Sequence, residues 1–235
     1  MSQVRLIEIK EEILFANRHR ADEIREKLRR NRVFMLNLMA SPGAGKTSLI
    51  IETVRRLKDV FRIAVIEGDI DSMVDSEKVS AEGVPTVQLR TGGACHLDAP
   101  MIHLALKTMD LENIDLIIIE NIGNLVCPAE FDTGAVMKAM ILSVPEGDDK
   151  ILKYPLMFSV CDALVVSKTD YLEGPGADFC IDRLRNRAGA LVPAMKFFQT
   201  SCRTGDGLDE WCAWLAKEIT DFMAANDNDK SLPED

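Results

Sequence analysis

No apolar run in this sequence approaches the ~20 residues that a bilayer-spanning helix needs, so a helical membrane protein is not expected. Positive charge is scarce too: 28 Lys and Arg face 38 Asp and Glu, for a net charge of −10. Gripping DNA or RNA by its phosphates requires a basic face, so the balance argues against nucleic acid as a partner. The first residues lack the basic-then-apolar pattern of a secretory leader, because Glu8, Glu11 and Glu12 come early. The six cysteines form no regular framework, and the chain is too long to need disulfide staples. Free thiols in a reducing, cytoplasmic setting are expected. Internal repeats and breaks in composition are missing as well, which predicts one large domain for the 235 residues.

What is present is a chain 47% apolar, enough for a full core. Residues 1–31 have apolar positions at helical spacing (Leu6, Ile9, Ile13, Leu14), which predicts an amphipathic helix. From residue 32 to 225 strand and helix patterns alternate. Strands are predicted at 33–39, 62–66, 84–89, 116–119, 137–144, 163–166 and 195–198. Helices are predicted from the residues after 45 to 57, then at 74–82, 97–109, 179–186 and 208–223. The tail 226–235 is polar and acidic, and is expected to fray. Such alternation predicts an α/β fold, a mostly parallel central sheet with helices on both faces. Ligands in such folds bind beyond the carboxyl ends of the strands.

Residues 41–48 read Ser-Pro-Gly-Ala-Gly-Lys-Thr-Ser, directly after the first apolar strand. This is a phosphate loop of the P-loop NTPase type. Gly43 and Gly45 let backbone N–H groups approach phosphate oxygens, with Ala44 between them. The helix starting near Lys46 directs its free N–H groups and its dipole at the same anion. Lys46 reaches the terminal phosphates; Thr47, followed by Ser48, is placed to ligate Mg2+. The first Gly of the usual Gly-x4-Gly-Lys-Thr is Ala40 here.

Guanine is the expected base. An apolar strand leads into Ser167-Lys168-Thr169-Asp170, and a carboxylate at Asp170 can accept both N–H bonds from guanine's edge, which adenine cannot offer. Lys168 lays its aliphatic stem along the base. Ser167 stands where the usual Asn-Lys-x-Asp has Asn, and the lost amide predicts a less braced loop and weaker binding. Ser201 and Cys202 open a small-residue loop suited to the guanine edge. Asp69 and Glu120 end strands and are candidates for the Mg2+ and water side. Glu120-Asn-Ile-Gly123 takes the place of Asp-x-x-Gly, with the Gly123 N–H meeting the γ-phosphate. Asn124, not Gln, follows, so fast unaided hydrolysis is not expected and Asp69 is the better candidate for orienting water.

Cys95, His96 and Cys127 fall on loops at one end of the predicted sheet. Thiolate, imidazole and thiolate suit Ni2+ or Zn2+, whereas Mg2+ prefers oxygen. Alone, such a trio is weak evidence of a metal. It offers three ligands, so a fourth comes from water or from a second copy in a two-fold dimer. Cys161, Cys180, Cys202 and Cys212 lie in apolar or helical surroundings and read as core thiols.

Three segments bring a resemblance into view: Thr-Gly-Gly-Ala-Cys-His-Leu-Asp-Ala (91–99), Glu-Asn-Ile-Gly-Asn-Leu-Val-Cys-Pro-Ala (120–129) and Ser-Val-Pro-Glu-Gly-Asp-Asp-Lys-x-Leu-Lys-Tyr-Pro (143–155). They resemble the HypB family, GTPases that help deliver nickel to NiFe hydrogenases during maturation. The likeness runs from about residue 32 to 214. It implies GTP/GDP and Mg2+ at the loop and Ni2+ or Zn2+ on Cys95, His96 and Cys127. It also implies a GTP-dependent homodimer with that trio at its interface, a nickel-insertion partner protein and the hydrogenase large subunit. The family's phosphate loop also lacks the first Gly, so Ala40 fits; Ser167 remains a departure. No Cys- or His-rich stretch stands near the N-terminus, so nickel storage is not expected. Delivery to another nickel enzyme such as urease is an alternative. So is a nucleotide- and metal-binding protein with little turnover. An ATP-dependent kinase is a further rival, and Asp170 argues against it.

Overall fold

A computed structural model of the protein describes residues 9–70, 73–173 and 178–227. Its centre is β1 (Phe34–Ala40), buried along its whole length. A strand apolar on both sides must be covered on both sides. Six more strands follow: β2 (Ile63–Asp69), β3 (Thr86–Arg90), β4 (Leu116–Glu120), β5 (Met137–Ser143), β6 (Ala163–Ser167) and β7 (Lys196–Gln199). They form one sheet in the order β3-β2-β4-β1-β5-β6-β7, every pair parallel. All seven strands read from the sequence are present.

The helices are α1 (Ile9–Asn31), α2 (Lys46–Leu57), α3 (Val74–Ser80), α4 (Ala99–Leu106), α5 (Cys127–Glu130), α6 (Lys150–Lys153), α7 (Pro155–Ser159), α8 (Ile181–Leu191) and α9 (Leu208–Ala225). Side chains alternate across β1. Phe34, Leu36 and Leu38 pack toward Leu49, Ile50 and Val54 of α2 and Trp211 and Leu215 of α9. Met35, with Ile66 of β2 and Ile117 and Ile119 of β4, packs toward α1 and α4. Farther along that face, Met140, Leu142 and Val166 meet α7 and α8. Each large side chain buried this way contributes roughly 1.5–3 kcal/mol, so both faces hold the sheet. Among the described residues no helix is long and apolar enough to cross a membrane.

Three local expectations change. The apolar stripe expected from Ile13 does not face the core: Ile13 is exposed, and Asn17, Ala21, Ile24 and Leu28 are buried instead. The sheet and α4 reach only the later half of the helix; Leu6 lies outside the described residues. Cys180, read as a core thiol, is exposed at the start of α8. The 144–159 stretch holds a 3-10 turn (Val144–Glu146) and the short α6 and α7, unread in the sequence because none spans two helical turns. The expected acidic tail lies largely outside the described residues; within them, Asp227 pairs with Arg32.

Candidate functional site

Beyond β1, Gly43 (φ 74°) and Gly45 (φ 101°) take left-handed backbone, which glycine adopts at little cost. That path turns the chain into α2, whose first residue is Lys46. Lys46 is buried, and its ammonium lies 3.5 Å from the Ser41 carbonyl. Burial lowers its pKa, while the nearby Glu120 and Glu67 carboxyls oppose the shift. Thr47 Oγ1 donates to Glu120 Oε1 at 2.9 Å. The Ser41 hydroxyl bonds Glu146, which ties the loop to the end of β5.

Glu67 was not singled out in the sequence, yet it faces this centre. It sits in register with Glu120 on the adjacent strand, and both are buried. Burial, then the Glu120 charge, pushes the Glu67 carboxyl up to about 10. Burial raises Glu120 as well, against the pull of Lys46. Glu67 Oε1 and Glu120 Oε2 are buried with no donor from another residue, and a proton on Glu67 lets the two carboxyls bond each other. Unpaired oxygens at this depth suit a hard cation. With the Thr47 hydroxyl and the Asp69 and Asp75 carboxylates in the same cleft, the donor set is oxygen and fits Mg2+. The available signal for Glu67 was a carboxylate inside an otherwise apolar strand, two residues before Asp69.

The cleft encloses about 540 Å³. Of the residues selected from sequence, Gly43, Gly45, Lys46, Thr47, Ser48, Asp69, Glu120, Gly123 and Lys168 line it. Ala44 is fully buried below it. Lys168 has a left-handed backbone (φ 58°), and its ammonium donates to the Gly43 carbonyl at 2.7 Å. Asp170, Ser201 and Cys202 fall outside this lining. Asp170 Oδ1 accepts from Ser201 Oγ at 2.7 Å, which lowers its pKa, and Oδ2 is 2.8 Å from Arg203 Nε. The Cys202 thiol packs on the α2–α9 core and burial pushes it up to about 11, so it turns no sulfur to the cleft. The loop at Ser167 is not left unbraced: Ser167 Oγ donates to the Ala44 carbonyl at 2.6 Å. A short hydroxyl reaches because the two loops lie so close.

Cys95, His96 and Cys127 do converge. One ligand atom from each lies within 4.8 Å of the others, and the two sulfurs are 3.0 Å apart. The His96 ring stacks on Phe131 with centroids 3.8 Å apart. Its Nδ1 is buried without a partner, and burial lowers its pKa, which favours the neutral ring a metal requires. Cys127, which opens α5, has its pKa raised by the contact with Cys95 and then by burial. Sulfur, nitrogen and sulfur form a donor set for a soft or borderline ion and a poor one for Mg2+.

The model of the CobW/HypB/UreG nucleotide-binding domain matches residues 34–199. A hydrogenase maturation factor HypB from Azotobacter vinelandii is 44% identical over 218 residues, 93% of this chain and 71% of the relative. The chain belongs to the HypB family. A hydrogenase/urease maturation factor HypB from Helicobacter hepaticus is 45% identical over 199 residues, covering 83% of this chain and 81% of the relative. The crystal structure of HypB from Helicobacter pylori in complex with nickel superposes with a TM-score of 0.82 at 38% identity. It covers 88% of this chain and 96% of that one.

In this HypB-family chain one segment, residues 120–127, runs from the cleft to the trio, with Glu120 and Gly123 lining the first and Cys127 belonging to the second. Gly123 packs on Pro42, and the Asn124 backbone N–H donates to the Ala40 carbonyl at 3.0 Å. The phosphate loop and the Cys127 loop therefore touch.

Proposed function

We propose that this protein hydrolyses GTP and uses the cycle to carry nickel to a NiFe hydrogenase during its maturation, dimerising when GTP is bound. One observation carries the reading: the eight residues 120–127 join an oxygen-lined phosphate cleft to a sulfur–imidazole trio. The nickel named with the Helicobacter pylori relative supports Ni2+ as the cargo, with Zn2+ acceptable to the same ligands. Gly43, Gly45 and the start of α2 hold the phosphates, and Lys46 neutralises the outermost group. Thr47 and Asp69 hold Mg2+, which supplies charge neutralisation to phosphoryl transfer. Asp69 orients water, Glu120 steadies Thr47, and the Gly123 N–H meets the γ-phosphate. Asp170 and Ser201 read guanine.

Three ligands leave one position for a second copy, as a two-fold dimer provides. Exposed apolar side chains near the trio support that face: Val126 (52%), next to Cys127, and Leu156 (51%), on α7 where it packs against α5. A nickel-insertion protein and the hydrogenase large subunit are the expected partners, in a reducing cytoplasm that keeps the thiols free. Urease as recipient is the second reading, favoured by the Helicobacter hepaticus relative named for both enzymes.

Lys46→Ala is expected to abolish GTP hydrolysis; normal turnover would overturn the cleft assignment, and a preference for ATP would favour a kinase. Sedimentation with GDP, with a non-hydrolysable GTP analogue and with Ni2+ tests assembly. A dimer is expected with the analogue, and an unchanged monomer in all three conditions contradicts it.

A further inference from the structure

Asn121 and Asn124 lie on the segment that follows Glu120, and each reaches across to the loop that carries Cys95 and His96. Asn121 is fully buried. Its Oδ1 accepts from the Leu97 amide at 3.1 Å and from the Ile122 amide at 2.9 Å, and its Nδ2 donates to Asn37 Oδ1 at 3.2 Å. Asn124 Nδ2 donates to the Cys95 carbonyl at 3.2 Å, while its Oδ1 accepts from the Val126 amide at 2.9 Å. Backbone N–H donors on each Oδ1 fix which way both amides point.

The short run 95–97 is thus held at its two ends, through the Cys95 carbonyl and the Leu97 amide, with His96 between. A third anchor comes from packing. Leu97 is fully buried against Gly68, where a β-carbon would come within 2.6 Å of Leu97 Cδ1. Gly123, which presses on Pro42 of the phosphate loop, sits between the two asparagines. Moving residues 121–124 without moving 95–97 would break two hydrogen bonds to backbone groups, one of them from a fully buried side chain, where unmade bonds are costly.

We infer that Asn121 and Asn124 are positioning residues that fasten Cys95 and His96 to the segment touching the phosphate loop, so the whole trio, not Cys127 alone, follows the nucleotide. This rests on the proposed coupling of GTP to nickel. Without the clasp, a shift of residues 123–127 would open the gap between the two sulfurs. With it, both thiolates and the imidazole keep their mutual spacing and change place as one body.

The test titrates Ni2+ into the full chain with GDP and with a non-hydrolysable GTP analogue, reading affinity by calorimetry and thiolate ligation by charge-transfer absorption. Asn124→Asp keeps the acceptor for the Val126 amide, removes the side-chain donor to Cys95 and Cys127 and adds a negative charge beside them; Asn124→Ala removes donor and acceptor without the charge. In the wild type, nickel affinity is expected to differ about 10-fold or more between the nucleotides. Both variants should enlarge that difference by about 5-fold or more, and in them alone the charge-transfer intensity should change with the nucleotide as the sulfurs separate. A coupled wild type beside an Asn124→Asp protein that stays equally coupled overturns the clasp and leaves the proposed function standing. An uncoupled wild type overturns both. Thermal melting checks folding, and Asn121→Ala carries the same expectations if Asn124→Asp does not fold.

Discussion

Gly123 approaches Pro42 so closely that a β-carbon on it would stand 2.8 Å from the Pro42 nitrogen and 2.9 Å from its α-carbon. Both obstacles are backbone-fixed, so no rotamer relieves the clash. Gly123→Ala must displace either the phosphate loop or residues 120–127. It should weaken binding of a triphosphate analogue by about 10-fold more than binding of GDP, or ~1.4 kcal/mol. Competition with a fluorescent nucleotide measures both. Equal losses would show that Gly123 does not distinguish the two.

Ser167 holds the phosphate loop through the Ala44 carbonyl, and both residues are buried. Ser167→Ala leaves that carbonyl without its donor, at a cost of ~1 kcal/mol. GDP affinity should fall about 5-fold. Calorimetric titration with GDP checks it, and unchanged affinity would mean the brace is immaterial to binding.

Cys127 is only half-buried, so its thiol is dispensable for packing. Cys127→Ala should lower Ni2+ affinity by at least ~10-fold while shifting stability by less than ~1 kcal/mol. Paired nickel titration and urea unfolding separate the two effects. A large stability loss would make Cys127 a structural residue instead.

Asp115 pins the starts of β2 and β4. Its Oδ1 accepts from Arg62 Nη2 at 2.6 Å, and its Oδ2 from Arg62 Nε at 2.9 Å and the Arg62 amide at 2.8 Å. The hydrogen bonds from Arg62 hold its carboxyl below the ordinary 3.8. A folded pKa below the unfolded one gives stability that is present above about pH 4 and is lost as pH falls through the folded value. Asp115→Asn should therefore cost roughly 1–3 kcal/mol at pH 7, and the gap to wild type should be smaller at pH 3 than at pH 7. Urea unfolding at both pH values checks it; a gap independent of pH would remove the ion pair as its cause.

Legibility in the sequence followed locality. The phosphate loop was readable because its chemistry is contained in eight consecutive residues, 41–48. The strands were readable from short apolar segments, continuous at 116–119, alternating at 62–66 and weakest at 84–89. Glu67 and Asp75 were not, because their approach to Lys46 depends on β2 lying beside β4. Arg203 on Asp170 and Ser167 on Ala44 were equally hidden, since each contact joins loops from different strands.

Read alone, the chain's residues were enough for an α/β sheet, a phosphate loop after the first strand, and three metal-ligand residues, two Cys and one His, past the ends of two other strands. Each rests on patterns within a few residues, where backbone sterics and apolar periodicity act. Only the tertiary structure decided that β1 lies between β4 and β5, that two buried carboxyls share the space beside Lys46, and that two asparagines bind the Cys95 loop to the Gly123 segment. These depend on which strands become neighbours. That choice is made by burying apolar faces over the whole sheet, and it carries the polar residues at the strand ends along with it.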